Sequence, residues 1–310
     1  IAVPEIPQAE AAAVAAQSPR GAEPVSKQRA LFQSAGDSGR VHPPLAEWAA
    51  RPLEPPSDGK LRLSATAIED YRSCPLKFKF NHYLKIPTGP QPALTFGNLM
   101  HECVRHYFKL RAKGVPEFSE VEKFYQTSWK SAGFEDSFQE ETYKKAGLEQ
   151  LRKFVEDQNA RPVAAGAMRF EEYFSFELEN TILQGRIDQI NPLPAIPGGS
   201  APPRQPVELV DYKTGKPRSQ KDADKSLQLS VYALAAKVQL GLEPQRLTFY
   251  NLTSNQPVSS VRTSADLEEV RSTVREVAEE IRKMNFPATP GFVCRFCDFV
   301  AICPAHEEEF

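Results

Sequence analysis

The residues best suited to chemistry end one apolar stretch, Val207-Glu208-Leu209-Val210-Asp211-Tyr212-Lys213-Thr214-Gly215. Its β-branched and apolar residues predict a strand, and strand side chains alternate between faces, so Asp211 and Lys213 emerge on the same side. A charged pair at the end of a buried strand is costly unless it holds something, such as a metal ion or a phosphate. The pattern therefore predicts a functional site at the end of this strand.

A second carboxylate can join that pair. Asp188 comes late in another predicted strand, within Gln184-Gly185-Arg186-Ile187-Asp188. If the two strands are neighbours, Asp188, Asp211 and Lys213 converge at one edge of a sheet. Two carboxylates suit Mg²⁺ or Mn²⁺, which can polarise a phosphoryl oxygen and lower the pKa of a bound water. Lys213 would then orient that water or stabilise charge on the phosphate. Spacing alone leaves open the alternative of surface acids on unrelated strands.

Other residues could complete such a site. Gln228 and Tyr232 stand four apart on the next predicted helix and can point at one substrate, and His101 on an earlier helix can supply an imidazole ligand. A cationic rim that could follow a phosphate backbone comes after Lys213; it comprises Lys216, Arg218, Lys221 and Lys225. Each feature also has a plain structural explanation, namely helix surface, a hydrogen-bonded histidine or a solvated charge run.

The elements that position these residues predict a mixed α/β fold. A largely helical part comes first, with a capping box at Thr66 and Glu69 and helices over residues 96–112 and 135–158. Strands are then predicted over residues 170–178, 182–190, 207–213, 246–252 and 258–262, with helices over 225–240 and 264–284. Residues 1–60 are rich in Ala, Pro, Ser and Gly and predict a linker or arm. Residues 61–310 are expected to form the folded domain.

Composition and motifs exclude several classes of protein. The 310 residues carry a net charge of −2, which argues against nonspecific coating of nucleic acid but not against a local basic channel. No apolar run is long enough to span a membrane, and no G-x-x-x-x-G-K-S/T loop is present. The sequence His101-Glu102-Cys103-Val104-Arg105-His106 places its second histidine one residue too far for a zinc protease. The first residue, Ile1, predicts a piece of a longer polypeptide.

Three of the five cysteines form a compact set, Cys294-x2-Cys297-x5-Cys303. An odd number of cysteines argues against a disulfide framework and for a reducing, cytoplasmic compartment. Three thiolates do not close a four-ligand site, for either zinc or an iron–sulfur cluster. The fourth ligand could be His306, giving zinc, or Cys74 far upstream. Cys103, in mid-helix, is expected to be a buried apolar thiol.

Four motifs together resemble those of RecB-like nucleases in the PD-(D/E)XK superfamily, over residues 63–306. They are Gly185-Arg186-Ile187-Asp188, Asp211-Tyr212-Lys213-Thr214-Gly215, Gln228-x-x-x-Tyr232 and Phe96-Gly97-Asn98-Leu99-Met100-His101.

The resemblance implies a restriction-endonuclease-like core with a mixed central sheet flanked by helices, an added helical layer and a C-terminal metal-cluster segment. It implies phosphodiester hydrolysis, with His101, Asp188 and Asp211 as metal ligands and Lys213 as the catalytic lysine. Gln228 and Tyr232 would support the site. Asp211 stands where many members have Glu, and Glu171 or Glu172 could supply a further carboxylate.

The resemblance also bears on the cysteines and on partners. Iron–sulfur-containing RecB-like nucleases use one N-terminal and three C-terminal cysteines, which implies that Cys74 joins Cys294, Cys297 and Cys303 around a 4Fe–4S cluster. Leu63–Pro87 resembles nuclease domains fused to UvrD-like helicases, which implies a bacterial helicase–nuclease acting on DNA in repair. Two alternatives stay open: a stand-alone exonuclease of the CRISPR-adaptation type, and a non-catalytic DNA-binding or scaffolding module.

Overall fold

A computed structural model describes residues 59–161, 168–194 and 204–305. The predictions for most of residues 1–60, and for His306, lie outside this part of the chain. The described strands form one six-stranded sheet: β1 Leu61–Leu63, β2 Arg169–Leu178, β3 Thr181–Pro192, β4 Pro206–Lys213, β5 Glu243–Asn251 and β6 Gln256–Ser260. Parallel and antiparallel pairs are mixed, because β1–β3 and β4–β5 are parallel and the others antiparallel. The predicted mixed α/β fold is confirmed.

Two layers of helices cover the sheet. The helices are α1 Ala65–Ser73, α2 Pro75–Phe78, α3 Pro92–Arg111, α4 Phe118–Ser128, α5 Ser137–Ala160, α6 Gln220–Asp224, α7 Leu227–Val238 and α8 Ser264–Arg282, with a π-helical turn at Lys79–Tyr83. One apolar core joins α1, α7 and α8 to the sheet, and a second joins α3, α4 and α5. In β4, Leu209 belongs to the first core and Val210 and Tyr212 to the second. Strand alternation thus turns Asp211 towards the face covered by α7.

Strand β3 has two different neighbours along the same side. Its first residues, Thr181–Leu183, pair with β1, whereas the pairing with β4 begins only at Gln189. Strand β2 runs along the opposite side from Thr181 to Ile190. Between the two pairings, none of the described strands adjoins β3 on the β1–β4 side, and Asp188 is the last residue before the β4 ladder. This opening gives side chains access to backbone groups that a continuous ladder would use.

Several predicted boundaries differ from the structure because short-range signals compete. Helix α1 begins two residues early, since Ser64 rather than Thr66 accepts the capping hydrogen bond, from the Ala67 amide at 3.1 Å. The helix predicted over residues 225–240 is α7, which begins only at Leu227 because the Ser226 side chain caps it. The short helix α6, which ends at Asp224, was not predicted. Strand β1 was missed, since three residues carry no periodic signal.

The C-terminal segment is irregular and returns to the start of the domain. It contains two 3-10 helices, Phe292–Phe296 and Val300–Ile302. The Leu76 amide donates to the Pro287 carbonyl at 3.2 Å, and the Tyr71 hydroxyl donates to the Asn285 carbonyl at 2.6 Å. These contacts bring the two ends of the folded domain together. Within the described residues, the helices are all too short or too polar to cross a membrane.

Candidate active site and cysteine cavity

The candidate active site begins where the β3–β4 ladder ends. Beyond the Gln189–Val210 pair, the Tyr212 amide donates to Asp188 Oδ2 at 2.9 Å instead of to a strand carbonyl. His101, on α3, contacts the Tyr212 carbonyl through Nε2 at 2.9 Å. Two side chains thus satisfy the backbone groups that the diverging strands leave open. The backbone of Tyr212 thereby fixes both Asp188 and His101.

The orientation of His101 follows from its backbone contact. A carbonyl oxygen can only accept, so Nε2 carries the proton and Nδ1 is directed towards Asp188 Oδ2, 3.4 Å away. Burial disfavours the charged ring, but the hydrogen bond to Asp188 and the charges of Asp188 and Asp211 outweigh it and raise the pKa of His101. When the ring is neutral, the Nδ1 lone pair is available to a cation.

Glu171, on β2, completes a group of three possible ligands. One ligand atom from each of His101, Glu171 and Asp188 lies within 4.8 Å of the others. Glu171 has a left-handed backbone, φ 53°, inside a strand, which costs of order 1 kcal/mol and is typical of functional positions. Its carboxylate accepts a hydrogen bond from Arg186 Nη1 at 3.0 Å. Of the two glutamates considered from the sequence, Glu171 is the one in the group.

Asp211 lies beside this group and is held by three side chains. Gln228 Nε2 donates to Asp211 Oδ1 at 2.8 Å, and the Tyr232 hydroxyl approaches the same oxygen at 3.3 Å. Lys213 Nζ is 2.7 Å from Asp211 Oδ2 and donates to Gln228 Oε1 at 2.9 Å. The amide of Gln228 therefore bridges the acid and the lysine, and its two ends cannot be exchanged. The structure brings together Asp211, Lys213, Gln228 and Tyr232, as the sequence predicts.

The electrostatics of Asp211 suit a carboxylate that binds a cation. Burial, followed by the charge of Asp188, raises the pKa of Asp211 to about 6, although Lys213 opposes the shift. Its Oδ2 is buried and, among the described residues, has no hydrogen bond of good geometry, since Lys213 contacts it only as an ion pair. A buried carboxylate oxygen without a hydrogen bond is costly unless a cation binds it. The donor set of carboxylates and one imidazole fits Mg²⁺ or Mn²⁺.

The predicted ligand set and the observed group differ at one position. His101 and Asp188 are together, as predicted, but the third member within 4.8 Å is Glu171 rather than Asp211. Sequence reasoning could not choose Glu171 because strand register was unknown. In the β2–β3 pairing, Phe170 is opposite Gln189 and Glu172 opposite Ile187, which places Glu171 beside Asp188.

The predicted cationic rim lies on the segment that follows β4. All four side chains are exposed: Lys216, Arg218, Lys221 and Lys225. The segment is fixed to the sheet, because Asn251 Oδ1 accepts from the Arg218 amide at 2.7 Å and Thr253 Oγ1 donates to the Thr214 carbonyl at 2.9 Å. The rim is therefore anchored close to the strand that carries Asp211 and Lys213.

Four cysteines line a separate cavity of about 300 Å³. Cys74 comes from the junction of α1 and α2. Cys294 lies in the first C-terminal 3-10 helix, and Cys297 and Cys303 directly follow the first and the second. The Thr289 amide contacts Cys74 Sγ at 3.5 Å. The pairing of one early cysteine with three late ones is thus present as a juxtaposition in space.

The sulfur atoms are more widely spaced than a single zinc ion requires. Among the described residues, no three of these thiols bring their sulfur atoms within 4.8 Å of one another, whereas zinc–sulfur bonds of about 2.3 Å imply closer sulfurs. Burial, despite the nearby charge of Lys77, raises the pKa of Cys297. Cys103 lies elsewhere; it is fully buried, and burial raises the pKa of its thiol to about 12. It is the apolar thiol that the sequence predicts.

Comparison with protein families gives a match over most of the chain. The family model described as "PD-(D/E)XK nuclease superfamily" matches residues 62–304. No curated protein matches this chain.

Two solved structures are similar over most of their length. The crystal structure of a "Putative exonuclease" from Eubacterium rectale is 13% identical, with a TM-score of 0.45, covering 82% of this chain and 90% of that one. The structure of a protein named SSO0001 is 14% identical, with a TM-score of 0.32, covering 84% of this chain and 92% of that one. At these TM-scores, the family match alone carries the assignment.

Proposed function

We propose that this chain, which belongs to the PD-(D/E)XK nuclease superfamily, is a divalent-metal-dependent deoxyribonuclease that hydrolyses phosphodiester bonds. The observation that carries the proposal is the convergence of His101, Glu171 and Asp188 beside the Asp211–Lys213 pair. A scaffold that had lost catalysis would have no need to keep a buried acid with a raised pKa next to a lysine. The site retains both.

The residues divide into a cation-binding group and a substrate-facing group. His101 Nδ1 and the carboxylates of Glu171, Asp188 and Asp211 would hold Mg²⁺ or Mn²⁺. A bound cation of this kind supplies Lewis-acid polarisation of a phosphoryl oxygen and activation of water near neutral pH. Asp211 would contribute Oδ2, since Oδ1 already accepts from Gln228 and Tyr232.

Lys213 acts on the substrate side. Its ammonium donates one hydrogen bond, to Gln228 Oε1, and forms an ion pair with Asp211 Oδ2, so at least one of its three N–H groups is left for an attacking water or a phosphate oxygen. A fixed donor aimed at developing negative charge lowers the barrier because no reorganisation is needed during the reaction. Gln228 and Tyr232 are positioning residues, because their hydrogen bonds hold the side chains of Asp211 and Lys213 in place.

The test of the nuclease proposal is cleavage of labelled DNA with Mg²⁺ or Mn²⁺. Wild type should cut only when the cation is present, and Lys213→Ala should lose about 100-fold or more in kcat, as for removal of one fixed donor. Lys153→Ala is the control, since Lys153 is exposed and pairs with Glu149. Equal inactivity of wild type and Lys213→Ala with every divalent cation tried would disprove the proposal.

The cysteine cavity is proposed to hold a 4Fe–4S cluster through Cys74, Cys294, Cys297 and Cys303. Four thiols on one cavity complete the ligand set, and the wide sulfur spacing favours a cluster over a single zinc ion. Closing a loop between the two ends of the domain would also constrain the unfolded chain. Anaerobically purified protein should be brown. A colourless protein with one zinc per chain would overturn the iron–sulfur proposal and assign the cavity to a zinc ion.

The proposed biological setting is DNA repair in the cytoplasm, next to a helicase in the same polypeptide or complex. This rests on the resemblance of Leu63–Pro87 to helicase-fused nuclease domains. The proposal predicts a helicase domain encoded with this chain. A gene encoding the nuclease alone would favour the stand-alone exonuclease.

A further inference from the structure

A groove of about 670 Å³ opens directly onto the His101–Glu171–Asp188 group. It does not include the cationic rim at Lys216–Lys225. Besides that group, its polar and aromatic lining comprises Ser64, Asn98, Glu102, Arg105, Lys130, Tyr173, Gln184 and Arg186. The groove is therefore a second surface next to the same chemistry, and what it binds can be argued from its walls.

The floor of the groove is one face of the β2–β3 ribbon. Tyr173 is opposite Arg186, and Ser175 is opposite Gln184 in the antiparallel register. Residues two apart on a strand share a face, so Gln184, Arg186 and Asp188 point the same way. The other face sends Phe174, Leu183 and Ile187 into the core. Strand alternation thus sets a polar, solvent-facing floor that leads to the ligand group.

One wall is a stripe of α3. Its lining residues are spaced by three and four along the helix and so lie on one face: Asn98, His101, Glu102 and Arg105. The opposite face of the same helix is buried through Met100, Cys103 and Tyr107. The wall therefore cannot rotate away without exposing the core, and Arg105 stays one turn from His101.

The charges of the groove balance only until a divalent cation binds. Three cations, Arg105, Lys130 and Arg186, face three acids, Glu102, Glu171 and Asp188. Arg186 pairs with Glu171, but Arg105 and Lys130 have no ion-pair partner within the described ranges. A bound divalent cation would add two positive charges to this balanced set and leave a net positive groove, which suits a phosphate backbone.

Tyr173 gives the groove a feature that phosphate binding alone does not need. Its side chain is 57% exposed although it is large and apolar, and it stands beside Arg186 across the strands. An exposed aromatic ring among cations is the combination that binds single-stranded nucleic acid, with bases on the ring and phosphates on the cations. A paired base cannot offer its face to the ring in the same way.

We infer that Tyr173 stacks on an unpaired base of the substrate strand, next to the scissile phosphate, while Arg105 and Lys130 bind the flanking backbone. The inference rests on the proposed nuclease function and names a specificity residue for it. Tyr173 touches the substrate but takes no part in holding the cation. The site thereby favours a strand with an unpaired nucleotide at the groove over a fully paired duplex.

The experiment compares Tyr173→Ala, Tyr173→Phe and the control Phe138→Ala, which removes an aromatic side chain that is 81% exposed outside the groove. Binding of a short labelled single strand and of its blunt duplex is measured by fluorescence anisotropy in Ca²⁺. Tyr173→Ala should weaken single-strand binding about 5-fold or more, the lower end for one stacked base, and leave duplex binding unchanged. Tyr173→Phe and Phe138→Ala should match wild type, since the first keeps a ring and the second lies elsewhere.

A second readout reports stacking itself. Single strands with 2-aminopurine at successive positions should show one position whose fluorescence is quenched by wild type and by Tyr173→Phe but not by Tyr173→Ala. Arg105→Ala and Lys130→Ala should each remove one phosphate contact. Each variant should therefore lower the slope of log affinity against log salt concentration, measured for the single strand, by about one.

The outcomes separate the two proposals. Unchanged single-strand binding by Tyr173→Ala, or equal weakening of single-strand and duplex binding, overturns the stacking role even if wild type cuts DNA. Selective weakening with loss of the quenched position supports it. A wild-type protein that binds and stacks but cleaves nothing with any divalent cation would instead overturn the nuclease function.

Discussion

The carboxylate site and the cysteine cavity bind their proposed groups by different means. At the carboxylate site, ligands stand on long elements, α3, β3 and β4, and Asp188, His101 and Asp211 each have a protein hydrogen bond. At the cavity, three cysteines stand within or directly after 3-10 helices of five and three residues that bury no side chain. Phe292 and Phe296 in that segment are more than 70% exposed.

The difference indicates which site depends on its bound group for structure. Polar ligands oriented by surrounding hydrogen bonds keep their geometry without a cation. Thiols on short, exposed turns have few other contacts, so binding of a cluster would supply folding free energy there. Loss of the divalent cation should therefore abolish activity and spare the fold, whereas loss of the cluster should loosen the C-terminal segment.

The largest expected effect separates activity from stability at the carboxylate site. Asp211→Asn should lower kcat by more than about 100-fold. This exceeds the loss of about 10- to 100-fold that follows when a residue that only orients a metal ligand is removed, because Asp211 is itself a proposed ligand. Its Tm at pH 8 should not fall, because a raised pKa means that the charged carboxylate is disfavoured in the folded protein above pH 6. Cleavage rates and thermal melts measure the two effects; a large drop in Tm would show that Asp211 is structural.

The second effect is expected at the cavity. Cys297→Ser should remove the brown colour and about 2–4 kcal/mol of unfolding free energy, by analogy with opening a long disulfide loop. Limited proteolysis should then cut within residues 285–305. Cys103→Ala is the control and should keep the colour, because Cys103 is buried away from the cavity. A colourless Cys103→Ala would contradict the ligand set.

A third prediction concerns the polar anchor beside the cavity. Asp70 accepts from Lys77 at 2.8 Å and contacts His82 at 2.9 Å, and Lys77 lines the cavity. Burial opposes ionisation, but these hydrogen bonds outweigh it and lower the pKa of Asp70 from 3.8 to about 2. A lowered acid pKa contributes stability above pH 3.8 that is lost as the pH falls through 2.

Asp70→Asn should therefore cost about 2 kcal/mol at pH 7, and the difference from wild type should shrink below pH 3.8. Denaturant unfolding over a pH series measures it. A cost that does not vary with pH would mean that packing, rather than charge, explains the loss.

The smallest effect is the pH dependence of cation binding at the carboxylate site. Because a cation needs an ionised Asp211 and a neutral His101, and both pKa values are raised, Mn²⁺ affinity should fall by at least about tenfold per pH unit below 6. Calorimetry in two buffers should detect more than one proton released per binding event near pH 5.5. Asp211→Asn should release about one proton fewer, leaving the proton of His101; an unchanged slope in that variant would assign the second proton to another group.

Much of the carboxylate site could be predicted from local sequence. Strand alternation placed Asp211 and Lys213 on one side, and helical spacing placed Gln228 and Tyr232 together, because both patterns depend only on local geometry. The choice between Glu171 and Glu172 could not be made, since adjacent acids face opposite ways and only the β2–β3 register decides which meets Asp188. The start of helix α1 was misplaced because Ser64 and Thr66 can both cap the N-terminus of a helix.

The sequence by itself determined the residue types, their order along the chain and the face of each element on which they stand. Those follow from backbone periodicity and from the chemistry of carboxylates, imidazole and thiols. Only the tertiary structure decided that β3 and β4 diverge at Asp188, that Glu171 joins the ligand group and that Tyr173 and Arg105 share a groove with it. These depend on pairing and packing between residues far apart in the chain, where many arrangements satisfy the same local pattern and only burial of one common core selects among them.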